Sequence, residues 1–204
     1  MIKKLVQRSV IAFTITPISL IALSISITSK SNAQELPPDQ VIQSMYAGVA
    51  NIHGYQAVPK VYRPIPPGFN TSCGPMVKLN AFYCRRDHSI YISIPMVRWA
   101  YQYGDAALAY VIGHEYAHAM QNVYKFNSNN GPISELQADC PAGFYMAAVQ
   151  NLVFDNRDIA EVRSFAYALG DFSNVWTEHH GTPKQRVAAV TFGMRANSPV
   201  SCKL

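Results

Sequence analysis

The sequence predicts a mainly helical α+β fold with a small β-sheet on its N-terminal side. Two short segments rich in aromatic and β-branched residues, 81–84 and 89–93, flank a polar turn, which is the pattern of a hairpin. After Pro95 the chain has the character of helices. With 49% hydrophobic and 14% charged residues, the composition excludes a disordered chain.

The first 33 residues are organised like a signal peptide. Three basic residues precede an apolar run over residues 10–27, and the small residues Ser31 and Ala33 fit a signal peptidase site. We therefore expect cleavage after Ala33, export to the periplasm or the extracellular space, and no stable membrane association afterwards. The alternative is an uncleaved anchor, because the apolar run is about long enough to span a bilayer.

Residues 34–204 are predicted to form a single domain. The formal charge of the chain is +5, but four of its 17 basic residues and none of its 12 acidic residues precede residue 34. The domain therefore carries 13 basic and 12 acidic residues. A nearly neutral domain lacks the cationic surface that nucleic-acid binding requires, so we expect no nucleic-acid partner.

Helix start and stop signals divide the domain further. They predict helices over residues 36–51, from an N-cap at Asp105 to about residue 124, from about residue 132 onward, and over residues 157–169 and 183–196. The last helix has the clearest start. Thr182 is a good N-cap, Pro183 takes the first helical position and Gln185 completes a capping box.

The four cysteines contain no C-x-x-C pair, which argues against a zinc ribbon or a thioredoxin-type redox site. Three disulfide pairings are formally open. We favour Cys73 with Cys84, which closes a short loop, and Cys140 with Cys202, which ties the C-terminal tail to a helix.

The segment His114-Glu115-Tyr116-Ala117-His118 is an H-E-x-x-H motif within a predicted helix. Residues four apart lie on one face of a helix, so His114 and His118 can bind the same metal ion. Zinc is the expected metal. Glu115 then lies beside the open coordination position, where it can act as a general base.

A catalytic zinc site needs a third protein ligand. The metzincin pattern would place a histidine six residues after His118, where this chain has Tyr124. Glu135, on the next predicted helix, is the candidate instead. Asp139 follows it on the same helix face, where we expect it to accept the free imidazole N–H of His114. The alternative is that Glu135 and Asp139 belong to a solvated acidic helix face.

Two residues near the last helix complete the candidate site. His180 is expected to stabilise the oxyanion of the reaction, with a local structural hydrogen bond as the alternative. Arg186 is expected to hold Glu135, Asp139 or a backbone carbonyl. This set of residues predicts hydrolysis of peptide bonds by a zinc-activated water, without a covalent enzyme intermediate.

Three separated motifs resemble those of the bacterial neutral zinc metallopeptidase family. They are Ala109-Tyr110-Val111-Ile112-Gly113-His114-Glu115, Glu135-Leu136-Gln137-Ala138-Asp139-Cys140 and His180-Gly181-Thr182-x-x-Gln185-Arg186. The resemblance covers about residues 70–195 and implies a compact zincin fold with Glu135 as the third ligand. In zincins the substrate usually lies antiparallel to an edge strand above the active helix, which implies this role for residues 89–93.

The leading hypothesis is an exported zinc-dependent peptidase, of endopeptidase type, that acts on peptides or proteins. One alternative is a zinc-containing binding or chaperone-like protein that is catalytically silent. Another is an amidase that acts on cell-wall peptides, which shares the metal chemistry and differs only in its substrate groove.

Overall fold

The computed structural model describes residues 35–61, 63–125, 131–173 and 179–202. Its helices are α1 Pro38–Ile52, α2 Ile94–Tyr101, α3 Asp105–Tyr124, α4 Gly131–Ala148, α5 Asn156–Leu169 and α6 Pro183–Gly193, followed by a 3-10 turn at Pro199–Cys202. Together with the small sheet, these helices confirm the predicted α+β class. The predicted signal peptide and its cleavage site lie outside the described residues.

The strands are short and form two small sheets. They are β1 Lys60–Val61, β2 Asn70–Thr71, β3 Gly74–Pro75, β4 Ala81–Cys84 and β5 Ser89–Ile92. Strands β2 and β3 form a separate antiparallel pair. The other sheet has the order β1-β5-β4, and its antiparallel β4–β5 hairpin confirms the predicted one.

Strand β5 is the central strand of the three-stranded sheet, because β1 pairs with it in parallel on the side away from β4. The expectation that residues 89–93 provide a free edge is therefore wrong. The edge strand is β4. The error has a physical cause, since a two-residue strand such as β1 is too short to show the alternation that indicates a strand.

Helix α3 lies at the centre of the core and contacts α1, α2, α4 and α5. Its residues are buried on nearly every side, including His114 to Ala117 of the H-E-x-x-H motif, and His118 is partly buried. Helix α4 packs against α3, with Ala142 opposite Gly113. A Cβ at Gly113 would lie 3.5 Å from the Cα of Ala142, which is an ordinary van der Waals contact. This packing brings the first turns of α4 beside the histidines of α3.

Helices α4 and α6 also pack closely through glycine. A Cβ on Gly193 would lie 1.8 Å from the carbonyl oxygen of Cys140, and one on Gly143 would lie 2.1 Å from that of Val190. A side chain at either position would push the helices apart. The close packing places the buried side chain of Arg186 against α4.

The observed helices differ from the predicted ones in several places. Helix α2 was not predicted separately, and its N-cap is Ser93, whose Oγ accepts the N–H of Met96. The N-cap of α3 is Gly104, so Asp105 is the first helical residue instead and accepts the N–H of Leu36. Helix α6 ends at residue 193, three residues early, while its predicted capping box is confirmed.

Both favoured disulfides are present. Cys73 is bonded to Cys84, and Cys140 to Cys202, so that the second bond joins α4 to the 3-10 turn after α6. Within the described ranges, we find no helix with the length and apolar character needed to cross a membrane.

Glu161 of α5 lies in a cluster of three carboxylates. Its ligand oxygen and those of Asp105 and Asp158 all lie within 4.8 Å of one another. Arg157 is the nearby cation, with its Nε 3.2 Å from Glu161 Oε1. Burial raises the pKa of Glu161 to about 7, with the two neighbouring carboxylates adding to the effect and Arg157 opposing it.

Replacing Glu161 with Gln is expected to stabilise the fold by about 1 kcal/mol at pH 8. The pKa of Glu161 is higher in the folded chain, so its protonated form contributes stability that is lost as pH rises through about 7. The neutral amide avoids this loss. Unfolding in urea should therefore show the gain at pH 8 and little gain at pH 4, and an equal gain at both pH values would contradict the explanation.

Candidate metal centre

Three side chains from two helices converge at the metal centre. His114 and His118 lie one turn apart on α3, and Glu135 lies near the start of α4. The two Nε2 atoms are 3.1 Å apart. The Nε2 of His114 lies 3.2 Å from Oε2 of Glu135, and that of His118 lies 3.3 Å from Oε1. The structure thus brings all three sequence-predicted metal ligands together.

These three residues fit a zinc ion in both size and chemistry. A tetrahedral ion with bonds of about 2.0–2.1 Å separates its donor atoms by about 3.3 Å. The three donor pairs described above are separated by 3.1, 3.2 and 3.3 Å. Two imidazole nitrogens with one carboxylate are also a donor set that catalytic zinc commonly has.

Asp139 connects His114 to a buried ion pair. Its Oδ1 lies 2.8 Å from Nδ1 of His114. Arg186 donates from Nε to Oδ2 at 2.9 Å and from an Nη atom to Oδ1 at 2.7 Å. Of the partners that the sequence left open for Arg186, the structure places Asp139 against it. Tyr110 was not anticipated, and its hydroxyl also donates to Asp139.

The charges in this network support one another. Burial raises the pKa of Asp139, but Arg186 and His114 lower it to about 2, so the carboxylate is anionic at neutral pH. Burial lowers the pKa of His114, but Asp139 and Glu135 raise it to about 10. The anionic Asp139 favours a proton on the Nδ1 of His114 that lies next to it, and the Nε2 of His114 faces Glu135 and His118.

His118 has a different partner, the fully buried Gln121. The Oε1 of Gln121 lies 2.8 Å from Nδ1 of His118, and its Nε2 donates to the carbonyl of Ser134 at 2.8 Å. The amide is thereby fixed with its oxygen toward the histidine. Sequence reasoning gave Gln121 no role, because a polar residue three positions after a ligand on one helix face is only a weak signal.

Glu115 lies beside the three donors and lines the same cavity of about 520 Å³. Its side chain is buried, which raises its pKa, while the nearby histidines and a hydrogen bond from the backbone of Tyr83 lower it. Tyr83 belongs to the edge strand β4, which forms one wall of the cavity. The carboxylate of Glu115 therefore lies between the metal centre and this strand.

His180 also lines the cavity, but its hydrogen-bond partner is Asp171. Asp171 accepts the backbone N–H groups of His180 and Ser173 at 2.9 and 2.8 Å, and the ring of His179 contacts it at 2.5 Å. Its own N–H donates to the carbonyl of Gly181. Asp171 thus fixes the chain before α6. No sequence signal identified it, because the contact joins residues from a loop without periodicity.

A helix with an H-E-x-x-H motif and a third donor on the next helix is the arrangement of zinc metallopeptidases. Comparison with protein families gives the same class. The family described as "Putative neutral zinc metallopeptidase" matches residues 65–204. The chain belongs to this family.

Two relatives extend the comparison. Uncharacterized protein Rv2575 of Mycobacterium tuberculosis is 26% identical over an alignment that covers 72% of this chain and 66% of the relative. Uncharacterized protein YpfJ of Escherichia coli K12 is 28% identical, with 65% and 56% covered. The chain therefore spans slightly under two thirds of the first relative and just over half of the second. No solved structure matches it.

Proposed function

We propose that the protein is an exported zinc-dependent peptidase that hydrolyses peptide bonds in extended substrates. One observation carries the proposal: a triangle of zinc-sized donor distances lies beside a buried carboxylate, Glu115, in a cavity bordered by a free strand edge. Export rests on the leader pattern and on the two disulfides, which form in oxidising compartments.

In this proposal His114, His118 and Glu135 hold the zinc ion. Bound zinc lowers the pKa of a coordinated water and polarises the scissile carbonyl. Glu115 accepts a proton from the attacking water and delivers it to the leaving amine. Burial, which raises the pKa of Glu115, favours the protonated form through which this transfer passes.

The residues behind the ligands position them. Asp139 and Gln121 each hold Nδ1 of one histidine, which directs both Nε2 atoms to the same point. Arg186 holds Asp139 in turn. His180 lines the cavity and is proposed to donate to the oxyanion, and Asp171, which binds its backbone N–H, positions it.

The edge strand β4 is the surface proposed to align the substrate, in place of residues 89–93. The carbonyl of Asn80 accepts the N–H of Ser93, so the backbone N–H and C=O groups of Asn80 and of every second residue after it point toward β5. The backbone groups of Ala81 and Tyr83 therefore point away from β5. The N–H of Tyr83 is used by Glu115, which leaves the carbonyl of Tyr83 and both backbone groups of Ala81 for an antiparallel peptide.

Replacing Glu135 with Ala is expected to lower the zinc content of the purified protein several-fold, because the site then lacks its third ligand. Metal analysis after dialysis against limiting zinc measures this. Asp39→Ala, which removes an exposed carboxylate of α1, is the matched control and should keep full zinc. Unchanged occupancy in the Glu135 variant would refute its ligand role.

A cleavage assay separates the peptidase from the two alternative functions. The zinc-loaded protein is incubated with a mixed peptide library and, separately, with muropeptides. We expect cleavage within library peptides. Cleavage of muropeptides alone would support the amidase, and zinc binding without any cleavage would support the catalytically silent binding protein.

A further inference from the structure

Helices α5 and α6 enclose a shallow surface groove, which we call the α5–α6 groove. Arg163 and Tyr167 of α5, Lys184, Val187 and Phe192 of α6, and Arg195 just after α6 define it. Two cavities of about 470 and 420 Å³ share Arg163, Tyr167 and Val187 as lining residues, so the groove is continuous. None of its lining residues belongs to the cavity at the metal centre.

The groove is cationic. Arg163, Lys184 and Arg195 are exposed along it, and none of the described residues that line it is acidic. Within the part of the chain that the structure describes, none of the three forms an ion pair, whereas Arg157 and Arg186 do. Three cations without counter-charges, in a domain that is nearly neutral overall, indicate an anionic ligand.

The groove is also apolar between its charges. Tyr167 is 56% exposed and Phe192 is 54% exposed, and Val187 lines the groove with them. Large exposed rings that border a depression are characteristic of a binding surface, because their burial by a partner is favourable. A ligand for this groove therefore combines negative charge with apolar side chains.

The spacing of the charges indicates the form of that ligand. Lys184 and Arg195 are eleven positions apart, about 16 Å along a helix axis, and Arg163 lies across the groove from α6. We propose that the α5–α6 groove binds an acidic amphipathic helix of a protein partner. About three helical turns, with carboxylates at both ends of an apolar stripe, match this length and charge pattern.

The shape and charge of the groove argue against two other occupants. A flat bilayer would not fill the shallow depression between the two helices, whereas a helix can lie along it. The leader of the chain carries four basic residues and no acidic one, so the cations of the groove would repel it. The inference does not depend on the proposed peptidase function.

The test measures binding of a fluorescent synthetic helix of about 14 residues, with Leu on one face and Glu on the other, to the mature protein. Fluorescence anisotropy should give a Kd of about 100 μM or lower, against no binding of the same peptide with Lys in place of Glu. The charge reversals Arg163→Glu, Lys184→Glu and Arg195→Glu, introduced together, should weaken binding by about tenfold or more.

A matched triple variant serves as the control. Lys60→Glu, Lys78→Glu and Arg98→Glu change the net charge equally at exposed positions outside the groove and should leave binding within about twofold of the original. Tyr167→Ser alone should weaken binding several-fold. This single exposed change keeps the test valid if the groove triple variant does not fold.

Three results would overturn the proposal. The first is the absence of peptide binding, and the second is an equal loss of affinity in both triple variants. The third is binding of phosphatidylglycerol vesicles that the groove variants lose, without any binding of the acidic peptide. That result would assign the groove to an anionic membrane surface instead.

Discussion

Replacing Glu115 with Gln should lower kcat/KM for peptide hydrolysis by a factor of about 10²–10⁴ while the protein keeps its zinc. The amide has nearly the same shape as the carboxylate, but it cannot accept the proton of the attacking water. Glu115 is not one of the three donors that lie 3.1–3.3 Å apart, so metal binding does not require its charge. Steady-state kinetics and metal analysis on the same preparation measure both effects.

Two outcomes would contradict the role assigned to Glu115. Cleavage at an unchanged rate would exclude it as the general base. Loss of zinc together with activity would mean that Glu115 holds the metal rather than a proton. The Glu135→Ala variant gives the opposite pattern for comparison, because it should lose zinc first and activity as a consequence.

Replacing Arg186 with Met should destabilise the metal-free protein by about 3–5 kcal/mol. Arg186 is 3% exposed and Asp139 is fully buried, and the two form a two-bond ion pair. Without the guanidinium, Asp139 becomes a buried charge with only His114 and Tyr110 near it. Chemical unfolding in the presence of a chelator measures the change without a contribution from metal binding.

A second substitution separates the lost charge partner from lost packing. Asp139→Asn in the Arg186→Met background should recover a large part of the stability, because the neutral amide is less costly to bury. Arg98→Met, at an exposed position of α2, should change stability by less than about 0.5 kcal/mol. A loss below about 1 kcal/mol for Arg186→Met would contradict the buried ion pair.

Most helices and the β4–β5 hairpin could be predicted because the sequence signals for them are local. The capping box of Thr182 and Gln185 and the hairpin of β4 and β5 depend only on neighbouring residues. The three-stranded order could not be predicted, since β1 is two residues long and joins β5 from a distant part of the chain. The wrong choice of substrate strand followed from this missing partner.

The same distinction applies to the candidate site. Helical spacing places His114 and His118 on one face, and the coordination chemistry of zinc directs attention to a carboxylate on the next helix. Tyr110 and Gln121 share helix α3 with these histidines, but many polar residues have similar spacing without such contacts. Asp171 contacts His179 and His180, eight and nine positions later and outside any helix or strand, which only the folded chain reveals.

The Cys140–Cys202 bond begins one residue after Asp139 and reaches the turn beyond α6. It therefore clamps together the helix that carries two acidic groups of the metal centre and the helix that carries Arg186. In a cytoplasm that keeps thiols reduced, newly made chains would lack this clamp. For the exported peptidase proposed above, the metal centre would therefore become fully braced only in an oxidising compartment.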